Sequence, residues 1–99
     1  MSNVIWNISF DELCQSAHIE EELVISVVEY GIAEPAAGQS RQDWLFDSTN
    51  VHWLKKAIRL SRELEIDWVA VAMVINLLKQ KEALERENQQ LQQQLARFF

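Results

Sequence analysis

Cys14, His18 and His52 are the residues of this 99-residue chain with the softest or most adaptable side-chain chemistry, and their placement leaves them little to do. The two histidines fall in different elements with no ligand spacing between them, and one cysteine can form neither an internal disulfide nor a Cys-based zinc site. No glycine-rich phosphate loop, nucleophile elbow or paired Ser–His motif is present. No catalytic, cofactor-binding or metal residue is therefore expected. His18 reads as a polar surface or capping residue of a turn. Cys14 reads as a small buried hydrophobe, and Met73, between Ala72 and Val74, as packing.

The chemistry that remains is charge. The net charge is −6, from 15 acidic and 9 basic residues. Residues 1–40 hold no Lys or Arg but seven acids: Asp11, Glu12, Glu20, Glu21, Glu22, Glu29 and Glu34. Residues 41–99 hold 9 basic and 8 acidic residues. An acidic surface repels a phosphate backbone and steers toward basic partners. The cations Lys55, Lys56, Arg59 and Arg62 form one local patch, expected to be a solvated face paired with Glu63 and Asp67.

The apolar residues say what holds these charges. Val4, Trp6 and Ile8 alternate with Ile5 and Asn7, which predicts a short strand over 4–8. Ser9 and Glu12 form a capping box for a helix over 10–16 with Phe10, Leu13, Cys14 and Ala17 inward. After a tight turn at Ala17–Ile19, Glu20 to Glu22 open a second helix where its macrodipole favours acids. Leu23, Val27 and Tyr30 form its expected inner face, flanked by Val24 and Val28. Gly31 ends it in the left-handed conformation with Ile32 making the apolar contact behind, and Pro35 blocks resumption. Residues 36–42 are the loop-like stretch. Trp44 and Phe46 alternate with Leu45 and Asp47, so a strand returns and closes a hairpin. Asp47 or Ser48 caps a third helix over 49–64, with Val51, Trp53, Leu54, Ala57, Ile58, Leu60 and Leu64 as its apolar positions. Asp67 caps a fourth that starts at Trp68 and meets no stop signal.

That last helix carries the most regular pattern. Leu77, Leu84, Leu91 and Phe98 recur every seven residues as d positions, with Val74, Lys81, Asn88 and Leu95 at a. The seam is about 37 Å long. A helix this long cannot bury its stripe within so short a chain, so homodimerisation through it is expected, with Asn88 as a polar specifier of register and partner number and Lys81 as a further interruption. The fold class is mainly α: a winged helix-turn-helix with a small β-hairpin wing over 1–68, then a long coiled-coil dimerisation helix over 69–99. No apolar run spans a membrane, and no signal peptide is seen, so a cytoplasmic protein is expected.

This order of elements resembles the DNA-binding domain of the MerR class, in which the second helix enters the major groove. Here that helix offers Glu21, Glu22, Ser26 and Glu29, and the wing offers only Arg41. Phosphate neutralisation needs cations, so DNA binding is disfavoured. MerR-type metal sensors place cysteine near the dimerisation helix, and none stands there. The sequence is similar to the CbpM family of chaperone modulators. The resemblance lies in Arg59-Leu60, Glu63-Leu64, Asp67-Trp68, Val71-Ala72 and Glu87-Asn88, with Leu91, Leu95, Arg97 and Phe98. Phe10 to Cys14, Glu20 to Leu23, Gly31, Glu34-Pro35 and Trp44 to Asp47 add to it. Val69, after the Asp-Trp pair, departs from the family pattern.

The resemblance implies a non-enzymatic protein that binds the J-domain of the DnaJ-like co-chaperone CbpA and blocks its work with the chaperone DnaK. An acidic module suits the basic helix that J-domains present to DnaK. Candidate contacts are Asp11, Glu12, Glu21, Glu22, Glu29 and Tyr30. Rim charges set rate and specificity, so an aromatic anchor is also needed; Trp6, Tyr30, Trp44, Trp53 and Trp68 are available, most of them expected in the core. A MerR-type transcriptional regulator and an adaptor for another basic protein are the alternatives.

Overall fold

A computed structural model describes residues 6–98. In chain order the elements are β1 (Asn7–Ser9), α1 (Phe10–Ser16), α2 (Glu21–Glu29), β2 (Leu45–Asp47), α3 (Ser48–Leu64) and α4 (Trp68–Ala96), with a single 3-10 turn at Arg41–Asp43. The two strands pair antiparallel, with Ile8 opposite Phe46, and the chain between them carries α1 and α2. Of the predicted strand over 4–8, Asn7 and Ile8 fall in β1, which continues to Ser9, and Trp6 stands outside it; Val4 and Ile5 lie outside the described residues. Partner geometry explains why Trp6 is outside the strand. Asn7 faces Asp47, and the next residue of the partner, Ser48, is already helical.

Local chemistry fixes the helix ends. The Ser9 hydroxyl accepts from the Glu12 N–H and donates to the Glu12 carboxylate, both at 3.2 Å. The reciprocal bond of the capping box thus runs to the hydroxyl of Ser9. Asp47 and Asp67 each accept an N–H at 2.8 Å, from Asn50 and Ala70, and start α3 and α4. Gly31, at φ +70°, closes α2: its N–H donates to Val28 and that of Ile32 to Val27, both at 3.0 Å. His18 takes the same left-handed conformation after α1 at φ 55° and is exposed. At Gly38 a Cβ would collide with the Asp43 carbonyl, so the loop before β2 needs glycine there.

The core takes Phe10 and Leu13 from α1, Val24 and Val27 from α2, Phe46 from β2, Val51, Trp53, Leu54, Ala57 and Ile58 from α3, and Val71 and Ile75 from α4. Three expected core positions are not there. Tyr30 is 47% exposed because α2 turns Val24 and Val27 inward, and Tyr30 itself is the residue that caps the helix. Leu64 is 55% exposed, since the chain leaves α3 through left-handed Glu65. Met73 is 65% exposed, because α4 rests on the core through Val71 and Ile75 and carries Met73 outside that contact.

Lys79 of α4 ties three elements together. Its ammonium donates to the Ile32 carbonyl at 3.1 Å and lies 5.5 Å from the Trp53 ring centroid. Lys79→Met keeps the stem and deletes both interactions. We expect it to cost about 1–3 kcal/mol in urea unfolding, with the slope unchanged.

Past Glu82 every described residue of α4 is exposed. The distal half of the helix therefore projects from the head. It accounts for a radius of gyration of 16.3 Å, against about 13 Å for a compact chain of this length. No helix among the described residues is long and apolar enough to cross a membrane.

Candidate functional site

Two surfaces stand out, one defined by charge and one by apolar exposure. The acidic surface is built on α1 and α2. Asp11 and Glu12 occupy the first turn of α1, and Glu21 and Glu22 the first turn of α2, where free N–H groups favour carboxylates. Glu29 sits in the last turn of α2, where the macrodipole opposes it, so capping does not explain its presence. All five side chains are exposed. The one ion pair among the described residues is Lys81–Glu85 at 3.4 Å, so none of the five is neutralised by a neighbouring cation.

Two members of this cluster act on Cys14. Burial raises its thiol pKa, and the charges of Glu21 and Asp11 raise it further. The thiol is thus held protonated at neutral pH and is a poor nucleophile. Asp11 and Glu21, ten residues apart in sequence, act on one point in space.

The aromatic candidates separate by burial. Trp53 is in the core; Trp44 and Trp68 are half-buried against it; Trp6 and Tyr30 are about half exposed. Tyr30 directly follows Glu29, so an aromatic ring adjoins the acidic surface at the end of α2. Trp6 immediately precedes β1.

The apolar surface is the unpartnered stripe of α4. Leu77, Leu84, Leu91, Leu95 and Phe98 are all more than half exposed, Val74 is half-buried, and the polar Lys81 and Asn88 are exposed on the same stripe. Leu77, Lys81, Leu84 and Asn88 line a shallow depression of about 540 Å³. The side that meets the core, through Val71, Ile75 and Leu78, lies beside this stripe around the helix axis. Sequence spacing alone missed the beginning of the stripe. Val69 and Met73, four residues apart and four before Leu77, are exposed. With Tyr30 and Lys79 they line a groove of about 410 Å³ between the end of α2 and α4. The signal for them was a four-residue spacing back from Leu77, which the seven-residue repeat steps over. Among the described residues no group of three or more His, Cys, Asp or Glu is placed to hold a metal ion.

Comparison with known proteins matches this architecture. Residues 8–93 fit the profile of the MerR HTH family regulatory protein family. The chain is 41% identical over 98 residues to a chaperone modulatory protein CbpM of Pseudomonas putida, covering 99% of this chain and 96% of the relative. It is 39% identical over 97 residues to that of Pseudomonas entomophila, covering 98% and 95%. It is 35% identical over 99 residues to that of Citrobacter koseri, covering 100% and 97%.

Proposed function

The chain belongs to the CbpM family of chaperone modulatory proteins, on a MerR-type helix-turn-helix fold, and from that premise we propose that it binds the J-domain of a DnaJ-like co-chaperone and inhibits that co-chaperone's work with DnaK. The observation that carries this reading is the unneutralised acidic surface of α1 and α2, placed where a DNA-reading relative needs cations. Asp11, Glu12, Glu21, Glu22 and Glu29 meet the basic helix of the J-domain, and Tyr30 supplies the apolar anchor at the edge. Occupying that helix denies it to DnaK. Residues 1–68 form the docking head. Residues 69–99 form a homodimer through Val74, Leu77, Lys81, Leu84, Asn88, Leu91, Leu95 and Phe98.

Isothermal titration with the J-domain of the organism's own DnaJ-like protein, at low and moderate salt, tests the reading. Binding is expected to weaken as salt rises, since exposed charges are screened over about 10 Å at 0.1 M. Glu21→Lys combined with Glu22→Lys is expected to weaken it about ten-fold or more at low salt, chiefly through the association rate. The difference from the parent should narrow at higher salt. Unchanged affinity of this variant would place the docking face elsewhere. Saturable binding of duplex DNA, without any binding of the J-domain, would favour the regulator reading.

A further inference from the structure

The exposed side of α3 carries the cations Lys55, Lys56, Arg59 and Arg62, at the three- and four-residue spacing that puts them on one side of a helix. The expected pairing with Glu63 and Asp67 does not form. The Asp67 carboxylate is committed to capping α4, and no ion pair to any of these cations exists among the described residues. Lys56 instead lies 5.8 Å from the Trp53 ring centroid. Holding unpaired cations side by side on one helix is unfavourable unless something else approaches them.

Three of them surround a groove. Lys55, Arg59 and Arg62 rim a cleft of about 460 Å³ between α3 and the turn that joins α1 to α2; Glu63 is the one acid at its edge. Its floor is apolar: Ala17, Ile19 and Ile58. We infer that this cleft is a second protein-docking site, which takes an extended acidic segment carrying one aliphatic or aromatic side chain. The carboxylates of such a segment meet the guanidinium groups, which bind them in bidentate fashion, while its apolar side chain covers Ile19 and Ile58. A nucleic acid fits less well. Phosphates gain nothing from an apolar floor, and Glu20, Glu21 and Glu22 follow directly on the turn that lines the cleft. A wide polyanion would have to face them, whereas a narrow segment need not. The site adjoins the acidic surface but shares none of its residues, and the inference does not depend on what that surface binds.

Fluorescence anisotropy with the full chain tests the inference. The probe is a short labelled peptide of alternating Glu and Gly around a central Leu; duplex DNA and a Leu→Ser version of the peptide are run beside it. Saturable binding of the Leu peptide is expected. Arg59→Glu with Arg62→Glu should weaken it about ten-fold, and Leu→Ser in the peptide about five-fold or more. J-domain affinity of the double variant should stay at the parent value, and circular dichroism reports whether it folds. Should it not fold, Lys55→Gln with Arg62→Gln supplies the same comparison by neutralisation. No saturable binding of the Leu peptide, or equal binding of both peptides, would overturn the inference. Tighter binding of duplex DNA that the Arg variants abolish would reassign the surface to nucleic acid.

Discussion

A chain carrying Leu84→Glu and Leu91→Glu together is expected to sediment as a monomer at concentrations where the homodimer proposed for the parent forms. The two leucines are 63% and 58% exposed in a single chain, so their apolar surface is available to a partner helix and contributes little to the head. Burying a leucine is worth about 1.5–3 kcal/mol. Two per chain, four per dimer, come to at least about 6 kcal/mol before charge repulsion is counted, or more than about four orders of magnitude in dissociation constant. Carboxylates in the seam would also face one another in a dry environment, which enlarges the effect. Sedimentation equilibrium measures it directly. Far-UV circular dichroism should fall as well, because the described residues of α4 past Glu82 are exposed and a free helix of this length is marginal in water. The head should keep its near-UV signal, since Trp53 is buried in its core. A variant that remains dimeric at the parent's affinity would move the interface to another surface.

The second large effect is expected at Phe46. Its side chain is fully buried at the centre of β2 and meets the Trp44 ring edge-to-face, with centroids 6.0 Å apart; Trp44 meets Phe10 in the same way at 5.8 Å. Three aromatic rings thus connect the β-ladder to α1. Phe46→Ala opens a cavity at the base of this row and should cost about 3–5 kcal/mol. A domain of this size has about 5–15 kcal/mol in total, so at least about a fifth of its stability would be lost. The midpoint of thermal unfolding should fall by roughly 15–30 °C. Phe46→Leu, which keeps most of the volume, should recover more than half of that. A loss for Phe46→Ala well below about 2 kcal/mol would mean that the ladder relaxes into the cavity and is not held by this row.

Element boundaries were the most legible part of the sequence, for a physical reason. Ser9, Asp47, Asp67 and Gly31 act on backbone groups within three or four residues of themselves, so their effect does not wait for tertiary structure. Orientation was less legible. α2 has only nine residues, and both the Leu23–Val27–Tyr30 line and the Val24–Val27 pair satisfy helical spacing. The neighbouring helices decide between them, and they leave Tyr30 outside. Met73 was misread because it sits among apolar residues on a helix that is apolar on two sides, one for the core and one for the stripe. The pairing of the α3 cations could not be read at all. Asp67 is near them in sequence but is occupied by the backbone of the next helix, a competition that only three-dimensional geometry reveals. The acidic composition of the candidate binding surface was plain from residues 1–40, yet the shared action of Asp11 and Glu21 at Cys14 needed the turn at His18 to bring α1 and α2 together.

From Trp68 to Ala96, α4 runs for 29 residues without a glycine, a proline or a break. It leaves the core and enters the stripe as one uninterrupted rod. Any assembly built on that rod would inherit a fixed spacing and a fixed angle between its heads, because no joint lies in α4 between the residues that meet the core, Val71 and Ile75, and the exposed stripe beyond them. A target offering two copies of its binding element would then be held at high effective concentration only if its own spacing matched. Too short a separation would leave one head idle. Inserting a flexible linker near Glu82 would relax that selectivity while leaving the affinity of each head unaltered.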